Sequence, residues 1–186
     1  MGTIGCAFAG MAVAAALWTV WTFNRLIRRR NLLREAWSGI DVQLKRRHDL
    51  IPNLVDCVKG YQAHERSLLE DLTRARAAGA GTWEGAREVS ATENSVSRNL
   101  RELVAVAEAY PDLKADANFR QLSASLVEVE DNLQYARRYY NGTVRDYNIL
   151  AESVPSNLLA RATGFQSAAF FEVESAMDRN APEVKL

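Results

Sequence analysis

Four side chains with acid–base or ligand character, Asp41, Lys45, His48 and Asp49, fall within about two helical turns of one another. Imidazole and carboxylate at such spacing could relay a proton or hold a metal ion. The detail of the spacing argues for a plainer role. Asp41 and Lys45 form an i,i+4 pair worth a few tenths of a kcal/mol on a helix surface. No H-x-x-x-H or H-E-x-x-H string is present, and the second histidine, His64, is sixteen residues along. Cys6 and Cys57 stand far apart in no C-x-x-C or zinc-ribbon spacing, so a transition-metal site would have to be built from carboxylates. Glu128, Glu130 and Asp131 make a second acidic group, but the E-x-x-H pairs of di-iron bundles are missing and a solvated helix face is expected.

Tyr135, Tyr139, Tyr140 and Tyr147 could bind an aromatic ligand, although the spacing of Tyr140 and Tyr147 predicts core residues whose hydroxyls find asparagine or backbone partners. Lys45-Arg46-Arg47 and Arg137-Arg138 are too short and isolated to mark a nucleic-acid surface. Neither a glycine-rich phosphate loop nor a nucleophile elbow occurs. These residues predict no catalytic, cofactor-binding or metal-ligating position, no cofactor and no nucleic-acid partner. An enzyme using the region from Asp41 to His64 is the weaker alternative.

The elements that would carry these residues begin with an apolar segment. No charged side chain occurs from Met1 to Asn24, and residues 3 to 23 supply 21 largely apolar positions, enough for a helix to cross about 30 Å of hydrocarbon. Trp18, Trp21 and Phe23 mark its C-terminal end, and Arg25, Arg28, Arg29, Arg30 and Arg34 follow directly. That order predicts a single-pass membrane helix over 1–24, with the N-terminus outside, the remainder cytoplasmic, and the arginines both fixing topology and attracting anionic headgroups. A cleaved signal peptide would carry its positive charge before the apolar run rather than after it. Gly2, Cys6, Gly10 and Ala14 recur every four residues and offer a smooth face for self-association in the membrane.

Beyond the arginines the pattern is helical with a seven-residue repeat. Phe119, Leu126, Leu133, Tyr140 and Tyr147 form one series, and Leu122, Val129, Ala136, Thr143 and Leu150 form the companion series, an a/d seam over helix 119–152 with Asn118 as its N-cap. Leu33, Ile40 and Leu54, with Trp37, Leu44, Ile51, Val58 and Leu72, extend the same pattern through residues 25–78, interrupted by Arg47 and Glu65 and bent near His48 by Pro52. Gly79, Gly81 and Thr82 close that helix, and a shorter one over 84–110 carries Val89, Val96 and Leu103 with Ala86, Leu100 and Ala107. The expected fold is all-α: a transmembrane helix continuing into an antiparallel three-helix coiled bundle over 51–152, followed by a short helix and tail over 153–186. Since the middle helix spans only about 40 Å, residues 25–50 are expected to project as a stalk whose Leu33, Trp37, Ile40 and Leu44 await a second copy, unless the third helix or the C-terminal tail folds back over them. Phe165, Phe170 and Phe171 predict docking of the tail on the bundle or on a protein partner.

Composition agrees with one membrane-linked domain. The 186 residues are 48% apolar and carry 23 Lys and Arg against 23 Asp and Glu, which excludes a disordered chain. The zero sum hides a polarity: residues 1–34 hold five arginines and no acid, and residues 35–186 carry a net charge of −5.

Four strings in order, WSGIDVQLKRRHDLIPNLVDCVKGYQAHE (37–65), AEAYPDLKADANF (107–119), ARRYYNGTVRDYN (136–148) and VPSNLLARATGF followed by FFEVE (154–174), closely resemble the bacterial LemA family. The resemblance runs from about residue 24 to Val184, with Gly39, Cys57 and Gly142 as minor departures. It implies a small bacterial inner-membrane protein with one membrane helix and a helical bundle, and it brings no catalytic residue or cofactor. The combined expectation is a non-enzymatic, self-associating scaffold or adaptor at the cytoplasmic face, with a membrane-shaping or envelope-stress role as the alternative.

Overall fold

A computed structural model of the chain describes residues 2–59, 66–79, 86–107 and 109–171, and among them every regular element is helical. Six helices follow in order: α1 (Gly2–Lys59), α2 (Arg66–Gly79), α3 (Ala86–Ala107), α4 (Pro111–Ala115), α5 (Ala117–Glu152) and α6 (Ser156–Ala162). The all-α expectation therefore holds, with the apolar segment and the seam-bearing segment in one helix of 58 residues. The helix expected over 51–78 is two elements, α1 to Lys59 and α2 from Arg66; Tyr61, His64 and Glu65 lie outside the described residues, as do Gly81, Thr82 and the tail beyond Phe171.

The local reasons for these helices can be named. Pro52 sits inside α1 and has no N–H for the carbonyl of His48, one turn back. Arg76 on α2 supplies the missing donor, its Nε lying 2.9 Å from that carbonyl oxygen. Asp116, rather than Asn118, caps α5: its carboxylate accepts the Phe119 N–H at 2.9 Å. The end of α6 is a Schellman turn, in which Phe165 N–H donates to Ala160 and Gly164 N–H to Arg161, with Gly164 at φ +75° where a side chain would be strained.

The chain divides into two compact units, Met1–Gly39 with Arg138–Ala168, and Ile40–Arg137 with Ala169–Leu186. In the first, Leu26, Tyr147, Ala151, Ala160 and Phe165 form the buried core, with Ile27, Leu33, Leu150 and Ala168 against it. In the second, Ile51, Leu54, Val58, Leu72, Val96, Leu100, Leu103, Leu113, Phe119 and Leu126 are among the residues that pack together. Every member of the seven-step series from Phe119 to Tyr147 is buried, whereas its companion series is buried only at Val129 and Thr143.

The expectation of a bare stalk is corrected. Ile40 and Leu44 are 0% and 3% exposed, Trp37 lies edge-on to Tyr140 with ring centroids 5.3 Å apart, and Leu33 packs on the first unit's core. The middle helix is too short to reach this seam, and of the other covers, the third helix or the tail, the third helix is the one found. The cover over Leu33 and Trp37 comes from α5, whose 36 residues extend about 54 Å and bring Tyr140 and Tyr147 alongside α1.

Candidate functional site

The chemistry-bearing residues that the fold does bring together lie in the core of the second unit. Arg47 and His48 come from α1, Glu93 and Ser97 from α3, Glu130 and Arg137 from α5. Arg47 is completely buried. Its Nη2 donates to Ser97 Oγ at 2.9 Å, its Nη1 lies 3.4 Å from Glu93 Oε2, and its Nε lies 3.0 Å from Glu130 Oε1. The last two are ion contacts rather than aligned hydrogen bonds, since neither nitrogen points its N–H at an acceptor. Glu93 is itself fully buried, and its Oε1 accepts from His48 Nε2–H at 2.8 Å. Arg137, 7% exposed, places its guanidinium 4.7 Å from the centre of the Phe171 ring, a cation–π contact in a site closed to water.

Arg47, Arg137 and Glu93 thus share one interior, and Glu130 reaches it from the edge with 32% of its side chain exposed. Burial pushes the Arg47 pKa down from its usual value, opposed by Glu130 and Glu93 and reinforced by Arg101. Burial also pushes Arg137 down, next reinforced by Arg47 and opposed by the two glutamates. A guanidinium stays charged under such pressure, so the acids are what make its burial tolerable. Desolvating each ion costs several kcal/mol, and the cluster recovers it only with all members present. This arrangement locks α1, α3 and α5 into one register.

The sequence-stated candidates separate. His48 is buried, while Asp41, Lys45 and Asp49 are exposed and share no site with it. Among the described residues no group of three or more His, Cys, Asp and Glu side chains is placed to hold a metal ion. Glu128 and Asp131 lie on the solvated face as expected, but Glu130 is drawn in to Arg47, which corrects that part of the expectation. Tyr135 and Tyr139 are exposed; Tyr140 and Tyr147 are core, with burial raising the pKa of each, and the Tyr147 hydroxyl donates to the Gln166 carbonyl at 2.8 Å. Burial, then Asp116 and Asp56, push the Cys57 thiol up and make it a poor thiolate. Glu93 escaped the sequence reading, yet it left a signal. It fills the gap in the series Ala86, Leu100, Ala107, just as Arg47 fills the gap between Ile40 and Leu54, and opposite charges at seam positions of two helices are a pairing pattern.

The first unit carries the arginine collar. Arg25 lies 5.3 Å from the Trp21 ring centre, Arg30 lies 4.8 Å from that of Phe165, and Arg29 pairs with Asp146 at 3.1 Å. Arg25, Arg28 and Arg34 are exposed. N-terminal to the collar, positions 4 to 21 are all exposed, Cys6, Gly10 and Ala14 among them, and α1 is long and apolar enough there to cross a membrane. The extended segment after α6 is pinned to α5 by Asn148, whose amide donates to the Ala168 carbonyl at 2.9 Å and accepts its N–H at 2.8 Å. Phe165 and Phe171 are buried as the docking expectation requires, while Phe170 is 43% exposed.

The chain is 28% identical over 166 residues to magnetosome protein MamQ 2 of Paramagnetospirillum magneticum, covering 76% of this chain and 61% of that protein. It is 24% identical over 166 residues to magnetosome protein MamQ of Magnetospirillum gryphiswaldense, with the same coverage, so it spans about three fifths of these relatives' length. Protein LemA of Metamycoplasma hominis is 25% identical over 149 residues, covering 80% of this chain and 68% of that protein. The family model described as LemA family matches residues 36–186, the whole stretch that holds the buried charge cluster and the docked C-terminal segment, and the chain belongs to the LemA family.

Proposed function

We propose that this protein is a membrane-anchored helical scaffold or adaptor of the bacterial inner membrane, with its N-terminus outside and its bundle in the cytoplasm. The observation that carries the proposal is the character of α1: one helix that is exposed at every position from 4 to 21 and, but for Thr19, apolar there, and whose later part forms the core of a folded bundle. An exposed apolar surface of that length is disfavoured in water and favoured in a bilayer. The collar of Arg25, Arg28, Arg29, Arg30 and Arg34 then faces anionic headgroups and holds the acidic remainder away from them.

Self-association belongs to the membrane helix in this proposal, because the seam at Leu33, Trp37, Ile40 and Leu44 is covered within the chain. The face of Gly2, Cys6, Gly10 and Ala14 lets two backbones approach, and a Cβ added at Gly10 meets nothing of this chain within 4 Å. The tail beyond Phe171 offers a separate contact for a protein partner. Native mass spectrometry of particles extracted with their lipid tests assembly. The proposal expects masses at multiples of the 20.8 kDa chain that fall toward a single copy in Gly10→Leu; a single copy for the unaltered protein would leave a solitary tether and overturn the scaffold reading.

A further inference from the structure

We propose that the turn between α5 and α6 is a second membrane contact, with Val154 and Leu158 inserted at the headgroup–acyl boundary beside the membrane helix. The inference rests on the membrane-anchor reading above and adds a lipid-binding surface on residues distant in sequence from the anchor. Val154 is 80% exposed and Leu158 67%, and Ile149, 58% exposed, lies just before them. Val154 in the turn and Leu158 at the start of α6 are two large apolar side chains, close in sequence, that gain nothing from water.

Their level along α1 identifies the occupant. Within the first unit α5 runs antiparallel to α1: Tyr140 meets Trp37, Asp146 meets Arg29, and Tyr147 and Ala151 pack with Leu26. Each residue forward on α5 therefore corresponds to about one residue back on α1, and the turn at Val154 comes level with Trp21. Burial on α1 agrees: Thr22 is 1% exposed, while its neighbours Trp21 and Phe23 are 59% and 37% exposed, so the folded unit covers one side of the helix as far as Thr22. Phe165 reaches the same level, edge-on to Phe23 at 5.9 Å.

A bilayer surrounding residues 4 to 21 must then meet this turn, since the folded unit extends about 5 Å past Arg25 toward the apolar segment. A soluble partner or a second copy has no such fixed encounter with it. The exposed Arg25, four residues from Trp21 on α1, and the exposed Arg161 on α6 suit headgroup phosphates, while the exposed Glu152 stands at the start of the turn. The turn is thus an interfacial element, and its insertion fixes how the first unit stands on the membrane.

The test uses the full chain with Cys6 and Cys57 replaced by alanine, carrying one cysteine at a time as Phe8→Cys, Val154→Cys, Leu158→Cys or Val127→Cys. All four positions are exposed, so the fold is not disturbed. Each variant is labelled with an environment-sensitive nitrobenzoxadiazole dye and reconstituted in vesicles of phosphatidylcholine and phosphatidylglycerol, with or without a lipid bearing a nitroxide near its headgroup. The expected result is blue-shifted emission and strong loss of fluorescence to the nitroxide at positions 154 and 158, with water-like emission and little loss at 127. Blue-shifted emission at position 8 together with water-like emission at 154 and 158 would overturn the second contact and leave the anchor standing. Water-like emission at position 8 would overturn the anchor and this inference together. Self-quenching between dyes at position 158 without loss to the nitroxide would assign the surface to another copy of the chain and overturn the lipid assignment.

Discussion

The two units use charge in opposite ways. In the second, Arg47 and Glu93 are fully buried and meet each other, with Ser97 and His48 beside them and Glu130 reaching Arg47 from the rim. In the first, the cations stay at the edge: Arg29 and Asp146 keep 33% and 40% of their side-chain surface, and Arg25 and Arg30 rest on aromatic rings. Both units draw on α1 and α5 and on the same seven-residue repeat, and they differ in which residues occupy the seam. Tyrosine and leucine at the seam give a core that any similar apolar residue could fill. A charged seam position is satisfied only by its partner and therefore fixes register. The unit abutting the proposed membrane surface keeps its cations available to lipid, while the unit bearing the buried cluster uses its charge internally.

The largest expected effect breaks the buried cluster. Arg47→Met leaves Glu93 buried without its cation and should cost about 3–5 kcal/mol, read from the denaturant midpoint. Adding Glu93→Leu removes the stranded charge, so the double variant should recover stability relative to the sum of the two single losses, with a coupling of about 0.5–3 kcal/mol in a double-mutant cycle. Next comes the apolar core of the first unit. Leu26, completely buried, should cost about 3 kcal/mol as Leu26→Ala, with no comparable rescue from any second substitution.

A smaller effect is expected at Arg76. Arg76→Ala leaves the His48 carbonyl without the donor that replaces the missing Pro52 N–H, a loss of about 1–2 kcal/mol. Hydrogen exchange should show it as faster opening of α1 around His48 than around Leu33. The smallest is Arg29→Ala, expected below about 0.5 kcal/mol because the Arg29–Asp146 pair is partly exposed. A cost there as large as that of Arg47→Met would erase the distinction between the units.

Much of this was legible in the sequence. The apolar run, the arginines behind it and the seam of α5 each follow one rule of spacing, and Phe119, Leu126, Leu133, Tyr140 and Tyr147 are all buried as that spacing requires. The covering of Trp37 was not legible, because helix lengths alone do not say which helix lies beside which, and the pairing with Tyr140 is a tertiary choice. The charge cluster was half legible. Arg47 stood out as a break in the seam, but its partner Glu93 is 46 residues away, and only the fold shows that the two breaks meet. Asp116 replaced Asn118 as the cap of α5 because helix ends follow the first available acceptor, which spacing rules locate only within a residue or two.

The central claim is that α1 anchors the chain in a membrane with the bundle on the cytoplasmic side. Labelling of single cysteines in intact cells with a membrane-impermeant maleimide tests it most directly, comparing Gly2→Cys, ahead of the apolar run, with Tyr135→Cys, an exposed position of the bundle, in chains lacking Cys6 and Cys57. The account predicts labelling at position 2 in intact cells and at position 135 only after the membrane is opened. Labelling at position 135 in intact cells, or recovery of the chain from the soluble fraction, would contradict it.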